Sequence, residues 1–74
     1  MKKVLITYHM TNGEEDAETC IALPMADEVA EDVLTWGDDS RYIRRGGVIW
    51  QALNTLAEMQ GYKYTLFCTA EPVQ

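Results

Sequence analysis

Apolar and polar residues alternate in two segments near the ends of the chain, and this alternation limits the possible folds more than any other feature of the sequence. In residues 2–10, KKVLITYHM, one side of an extended chain would carry Val4, Ile6, Tyr8 and Met10. In residues 62–70, YKYTLFCTA, one side would carry Tyr62, Tyr64, Leu66 and Cys68. A period of two is typical of a strand with one covered face. The sequence therefore predicts a sheet with one strand near each end of the chain.

A turn signal follows the first of these strands. Residues 11–16, TNGEED, contain Asn12 and Gly13, a dipeptide that favours the backbone conformation of hairpin turns. Residues 17–23, AETCIAL, can return as a second strand beside the first. The first two strands are therefore predicted to form a β-hairpin with a loop longer than two residues.

The middle of the chain changes to the spacing of a helix. Pro24 suits the first turn of a helix, because the backbone N–H that proline lacks would have no partner there. A helix is predicted over residues 25–36, with Gly37 as its stop signal. The apolar residues at helical spacing are Ala26, Val29, Ala30, Val33 and Trp36. We expect this stripe, with Trp36, to join the core.

A second helix is predicted to run to about Gln60, and its start has two possible positions. Its apolar stripe consists of Ile49, Leu53, Leu56 and Ala57. The helix begins either near Arg41, after a run of capping residues at 38–40, or only after the glycine pair 46–47. Each interior glycine costs about 1 kcal/mol relative to alanine. The earlier start is favoured, with a weak point at the two glycines.

These elements follow in the order β-β-α-α-β, which predicts an α+β fold in a single domain over residues 1–74, with 71–74 as a frayed tail. Two helices packed on one face of a three-stranded sheet would bury both apolar stripes. The third strand would pair either with the first strand, running parallel to it, or with the second strand, running antiparallel. The order with the third strand beside the first is favoured.

The charge and the cysteines narrow the classes of partner and compartment. Twelve acidic and six basic residues give a net charge of −6, which works against nucleic acid or an anionic membrane as a partner. No segment approaches the roughly 20 apolar residues of a membrane-spanning helix. Cys20 and Cys68 lack the spacing of a zinc site, so no metal or other cofactor is predicted. Because the first apolar run ends before Thr7, too early for a signal peptide, we expect a cytoplasmic protein with reduced thiols.

The most suggestive local feature is a cluster of three arginines. Arg41, Arg44 and Arg45 are half of the basic residues and lie within five positions. No glycine-rich phosphate-binding pattern accompanies them. We expect these arginines to pair with acidic residues of this domain or of a protein partner. They are therefore candidate residues for binding a protein.

Three apolar residues are candidates for an interface. Trp50 lies beside the apolar stripe of the second helix, where it would be partly exposed and would anchor a contact. Leu5 and Phe67 would lie on the sheet face away from the helices. A domain of this size gains only about 3–5 kcal/mol net from its core. We therefore expect a twofold homodimer, through this face or through an edge strand, with another protein as the alternative partner.

No combination of residues indicates a catalytic centre. His9 is the only histidine, and the sequence places no acid or nucleophile beside it. We therefore expect a small, non-catalytic protein-interaction module. The alternative is an acidic inhibitor, or a decoy that mimics nucleic acid, bound to a basic surface of another protein. The arginine cluster argues against that alternative.

Overall fold

The computed structural model describes residues 1–73 and contains three strands and two α-helices. The elements are β1 (Lys2–Thr11), β2 (Asp16–Met25), α1 (Asp27–Trp36), α2 (Val48–Met59) and β3 (Tyr64–Pro72), with a 3₁₀ turn at Gly37–Asp39. The strands form one sheet in the order β2-β1-β3. The predicted α+β fold with the order β-β-α-α-β is confirmed. Within residues 1–73, neither helix has the length and apolar character needed to cross a bilayer.

β1 and β2 form the predicted hairpin, and β2 is longer than expected. Asn12 closes the loop, because its Oδ1 accepts the backbone N–H groups of Glu14 (2.9 Å) and Glu15 (2.7 Å). The prediction that Pro24 begins the first helix is wrong, since Pro24 lies in β2 and α1 begins at Asp27. Proline is tolerated there because β2 is an edge strand, where a residue need not donate to a second neighbour.

β3 lies beside β1, as favoured, but it runs antiparallel to β1 and not parallel. A parallel β3 was expected on the assumption that each of the two helices crosses the length of the sheet, so that β3 would begin at the same end of the sheet as β1. α1 follows the end of β2 that pairs with Lys2, whereas Lys63, just before β3, donates its N–H to the carbonyl of Thr11 at the other end of β1 (2.9 Å). The two helices and their link therefore cross the length of the sheet once rather than twice, which reverses β3.

A β-bulge interrupts the alternation of β3. The register against β1 skips Leu66, which is the extra residue of the bulge. As a result Thr65 and Cys68 are both buried on the helix side of the sheet, although they are three positions apart. The side predicted from the alternation is wrong for Tyr64 and Leu66, which are 47% and 48% exposed.

The core lies between the sheet and the two helices. Its principal residues are Val4, Ile6, Tyr8 and Met10 from β1, Ala30 and Val33 from α1, and Ile49, Leu53 and Ala57 from α2. These are the residues that the periodicities predict. Two residues predicted for the core are exposed: Ala26, which is the N-cap of α1, and Trp36, which is 61% exposed. Trp36 is the last residue of α1 and lies beyond the part of the helix that packs on the sheet.

α2 begins at Val48, so the predicted early start near Arg41 is wrong. The N-cap of α2 is Gly47, and none of the capping residues predicted at 38–40 caps this helix. Gly46 has φ of 91°, a left-handed conformation that glycine adopts without strain and that interrupts a right-handed helix. The glycine pair is therefore the boundary of α2 and not a weak point inside it.

β3 extends further than predicted. Glu71 and Pro72 pair with β1 and belong to the sheet rather than to a frayed tail. Proline is tolerated at this position because β3 is the other edge strand. Of the other residues in the predicted tail, Val73 is exposed, and Gln74 lies outside the described residues.

Candidate functional site

A groove of about 800 Å³ lies between α2, the loop before it and β3. We call it the α2–β3 groove. Its buried lining residues are Ile43, Leu53, Thr65 and Cys68. Its more accessible lining residues include Arg44, Arg45, Trp50, Lys63, Tyr64 and Leu66. An apolar interior with a small number of placed polar groups is typical of ligand-binding sites.

The structure brings the side chains of three of the six predicted binding residues to this groove: Arg44, Arg45 and Trp50. Phe67 borders the groove, but its ring stacks on His9 on the opposite face of the sheet. Arg41 instead pairs with Asp32, and Leu5 lies on the opposite face of the sheet. Lys63 and Tyr64 also line the groove and were not predicted as binding residues. The only signal for them was their position at the start of β3, and nothing in the sequence places that start beside the arginine loop.

Three of the six basic residues line the groove, and none of them makes an ion pair within residues 1–73: Arg44, Arg45 and Lys63. The expected pairing with acids of this domain holds for Arg41 alone, whose Nε lies 3.7 Å from Oδ2 of Asp32. Because Arg41 is largely exposed, this pair contributes at most about 1 kcal/mol. The groove also has two carboxylates, those of Asp38 and Glu58.

The loop that carries Arg44 and Arg45 is held by a buried serine. The side chain of Ser40 donates to Oδ1 of Asp32 (2.5 Å), and its Oγ accepts the N–H of Tyr42 (3.2 Å). The carbonyl of Ser40 also accepts the N–H of Arg44 (2.8 Å). A hydrogen bond to a carboxylate is stronger than one between neutral groups. Ser40 and Asp32 therefore anchor the backbone of this loop at Tyr42 and Arg44.

Two side chains bind the outer edge of β3, which forms the other wall of the groove. The N–H of Thr65 donates to Oδ1 of Asn54 (2.7 Å), and the N–H of Cys68 donates to Oδ1 of Asp38 (3.0 Å). These donors point away from β1, where a further strand would otherwise bind them. Two outward donors of this edge are therefore already bound by side chains, which opposes the addition of a further strand there.

Cys68, at the buried side of the groove, has a thiol of low reactivity. Burial, then the charge of Asp38 and the hydrogen bond from the thiol to that carboxylate (3.6 Å), raise the pKa of Cys68 to about 12. The thiolate is the nucleophilic form of cysteine. The raised pKa and the burial of Cys68 therefore disfavour its thiolate at neutral pH.

We expect the two thiols to differ sharply in reactivity, because Cys20 is exposed and Cys68 is buried. Ellman's reagent at mildly alkaline pH should modify one thiol per folded chain rapidly, and the second only after denaturant is added. Cys20→Ser should abolish the fast phase, and Cys68→Ser should leave it intact. Two fast thiols in the folded protein would contradict the burial of Cys68.

The raised pKa also predicts a loss of stability at high pH. Below its ordinary pKa of 9.0, the thiol of Cys68 is neutral in both the folded and the unfolded chain, so its full contribution to stability is present. Between pH 9.0 and about 12, the thiol ionises in the unfolded chain only. Stability should fall by about 1.4 kcal/mol per pH unit in that window. Cys68→Ala should flatten this slope relative to wild type in urea titrations, and equal slopes would contradict the prediction.

The other face of the sheet carries Leu5 and Phe67, as predicted, but does not bring them together. The row containing Thr7 separates them. The ring of Phe67 stacks on His9, with 4.1 Å between the centroids and 18° between the planes. Nε2 of His9 lies 3.7 Å from Oε1 of Glu18. This face is therefore a mixed surface rather than a continuous apolar patch, and its pairing with a second copy stays a prediction.

Within residues 1–73, no three His, Cys, Asp or Glu side chains are grouped as a metal site requires. Comparison with protein-family models, with curated proteins and with solved structures gave no match.

Proposed function

We propose that this domain is a non-catalytic protein-interaction module and that the α2–β3 groove binds an acidic segment of a protein partner. The supporting observation is the gathering of three cations without ion pairs in residues 1–73, Arg44, Arg45 and Lys63, around Trp50 and Tyr64. Guanidinium groups bind carboxylates through charge-assisted hydrogen bonds, and tryptophan and tyrosine offer apolar area for a neighbouring side chain. A segment in which an acidic residue is next to an apolar one fits both features.

The charges of the groove favour a peptide segment over nucleic acid. The whole chain has a net charge of −6, and Asp38 and Glu58 lie in the groove beside the cations. A nucleic acid brings a regular row of phosphates, which these carboxylates would repel. A peptide with one or two carboxylates avoids that repulsion.

The groups that carry acid–base or nucleophilic chemistry are distributed in a way that supports binding rather than catalysis. His9 lies on the sheet face away from the helices, whereas the thiol of the groove, Cys68, is buried and has a raised pKa. Cys20 and Cys68 are both free. Free thiols suit a reducing compartment, so we place the module in the cytoplasm.

The alternative function, an acidic inhibitor or nucleic-acid mimic, has less support. Its acidic residues would have to form one continuous surface. Those of the hairpin, Glu14 to Asp16, lie at one end of β1, and those that begin α1, Asp27 and Glu28, follow the other end. The acidic groups are thus divided between the two ends of the sheet.

Selection from a phage-displayed library of random peptides tests the proposed function. The domain should enrich peptides in which Asp or Glu neighbours an apolar residue. Arg44→Ala with Arg45→Ala should raise the Kd of a synthetic selected peptide at least about tenfold, because each arginine contributes a charge-assisted contact. The Kd is measured from the fluorescence of Trp50 in a Trp36→Phe background.

The matched control removes two positive charges elsewhere. Lys2 and Lys3 are exposed at the start of β1, away from the groove. Lys2→Ala with Lys3→Ala should change the Kd by less than about twofold, because exposed charges at a distance are screened. No acidic preference among the peptides, or equal effects of the two double variants, would reject the groove as the binding site.

A further inference from the structure

The two edges of the sheet differ in how they are protected. On the outer edge of β3, Asn54 and Asp38 bind two of the outward N–H groups. Within residues 1–73, β1 is the only element that hydrogen-bonds to the backbone of β2. β2 is ten residues long, contains no lysine and has no bulge, and its proline is near its end. Short length, lysine side chains, bulges and centrally placed prolines are common means by which edge strands avoid pairing. Because β2 lacks them, its edge is open to another strand.

The hydrogen bonds of β3 show which groups of β2 point outward. In antiparallel pairs, successive residues direct their backbone groups alternately toward and away from a given neighbour. The N–H of Cys68 points away from β1, and Cys68 lies opposite Tyr8. The backbone N–H and C=O of Tyr8 therefore point to its other partner, Thr19 of β2. The residues of β2 that point outward are then the even-numbered ones, with Glu18, Cys20 and Ala22 at the centre and Asp16 and Pro24 at the ends.

The side chains of β2 leave apolar surface along the same edge. The helices pack mainly on β1 and β3. Ile21 and Leu23, which face the helix side of the sheet, are consequently only partly buried. A strand added at this edge would cover both residues with its own side chains.

The charges along the edge fit a second copy of this chain in antiparallel orientation. Asp16 and Glu18 lie in the first half of β2, whereas Lys3 of β1 lies beside Pro24 in the second half. A parallel copy would place acids against acids, which is unfavourable. An antiparallel copy places Asp16 opposite the second copy's Pro24 and on the same sheet face as its Lys3. Charge complementarity therefore selects the antiparallel arrangement.

We propose that two copies of this chain associate through β2 about a twofold axis, with Cys20 of one copy opposite Cys20 of the other. The three strands of each copy then form one continuous antiparallel sheet. In this register Glu18 lies opposite Ala22, so all outward N–H and C=O groups of these three residues are paired. Pro24, which has no N–H to donate, then lies opposite Asp16 at the end of the contact, whereas a register centred on Ile21 would move Pro24 opposite Glu18 and leave two rather than three fully paired rows.

Oxidative cross-linking tests the register. Diamide accepts two electrons and two protons from a pair of thiols, which leaves a disulfide. Directly opposite residues with reciprocal hydrogen bonds have Cα atoms about 5.5 Å apart, within the range of disulfides. Wild type and Cys68→Ser should therefore form a covalent dimer at similar rates on a non-reducing gel, and Cys20→Ser should form none.

The matched control moves the thiol two positions along the same exposed face. Ala22→Cys in the Cys20→Ser background lies opposite Glu18 and not opposite itself, so it should cross-link at least about tenfold more slowly than Cys20. Equal rates for the two positions would indicate random collision and overturn the register.

Light scattering tests the association without thiol chemistry. Cys20→Ser at about 10–100 µM should have twice the mass of the monomer. Ala22→Pro in this background removes an outward N–H without removing a bond to β1, and should raise the dimer Kd at least about tenfold with an unchanged circular dichroism spectrum. Ala22→Ser, which keeps the N–H, should remain dimeric. A monomer across this range, or an unchanged Kd for Ala22→Pro, would overturn the proposal.

Discussion

Replacing Ile6 with alanine should leave much of the protein unfolded at room temperature. Ile6 is fully buried in the central strand, opposite Ile21 of β2 and Ala70 of β3. Truncation of such a residue costs about 2–5 kcal/mol, because the surroundings collapse only partly into the cavity. This is comparable with the roughly 3–5 kcal/mol of net stability expected for a domain of this size. Urea denaturation followed by circular dichroism measures the loss.

Leu5 provides the matched control for Ile6. It is the adjacent residue of β1, faces away from the helices and is only partly buried. Because its side chain is already partly in water, Leu5→Ala should cost roughly 1 kcal/mol. Equal losses for the two variants would contradict the assignment of the two sheet faces.

Gly47→Ala should cost roughly 3 kcal/mol, although the φ of −71° at Gly47 suits any residue. A Cβ at this position would overlap the backbone carbonyl of Tyr42. That oxygen accepts the N–H groups of Ile49 (2.9 Å) and Trp50 (3.2 Å). Displacing it would disturb the first turn of α2 and the position of Trp50 in the groove. Thermal unfolding and Trp50 fluorescence in a Trp36→Phe background report the two effects.

A variant at Gly46 is the control that distinguishes the effect of atomic overlap at Gly47 from the effect of backbone conformation. Its φ is 91°, and a Cβ there would have no atom within 4 Å. Gly46→Ala should therefore cost only the strain of a left-handed residue, about 1–2 kcal/mol, and leave Trp50 in place. A greater loss at Gly46 than at Gly47 would contradict the close approach of Gly47 to Tyr42.

The two proposed surfaces are compatible within one assembly. β2 and β3 lie on opposite sides of β1, so a dimer through β2 leaves both α2–β3 grooves free. The grooves would lie toward the two outer edges of the joined sheet. Such a dimer would bind two acidic segments, and a partner with two segments at a suitable spacing would gain avidity without any new contact.

The spacing of apolar residues was sufficient to predict the strands, the helices and most of the core residues. The alternation of Val4, Ile6 and Tyr8 predicted the buried face of β1, and the spacing of Leu53 and Ala57 predicted the buried face of α2. Such patterns are reliable because one sheet or helix face collects residues two, three or four positions apart. Trp36 was misplaced because the same pattern does not show where a helix leaves the surface on which it packs.

Local patterns were insufficient wherever distant segments meet. The bulge at Leu66, which turns both Thr65 and Cys68 inward, is a property of the register between β3 and β1. The direction of β3 depends on the path of α1, the loop and α2 across the sheet. The number of helices and strands does not reveal that path.

The α2–β3 groove shows the same division between sequence and tertiary structure. The sequence by itself determined that Arg44 and Arg45 are adjacent cations and that Trp50 lies beside an apolar stripe. Only the tertiary structure decided that Lys63 joins them and that Asp38 binds the outer edge of β3. The physical reason is that side-chain hydrogen bonds and unpaired charges depend on positions in space set by packing, whereas periodicity records only which face of its own element a residue occupies.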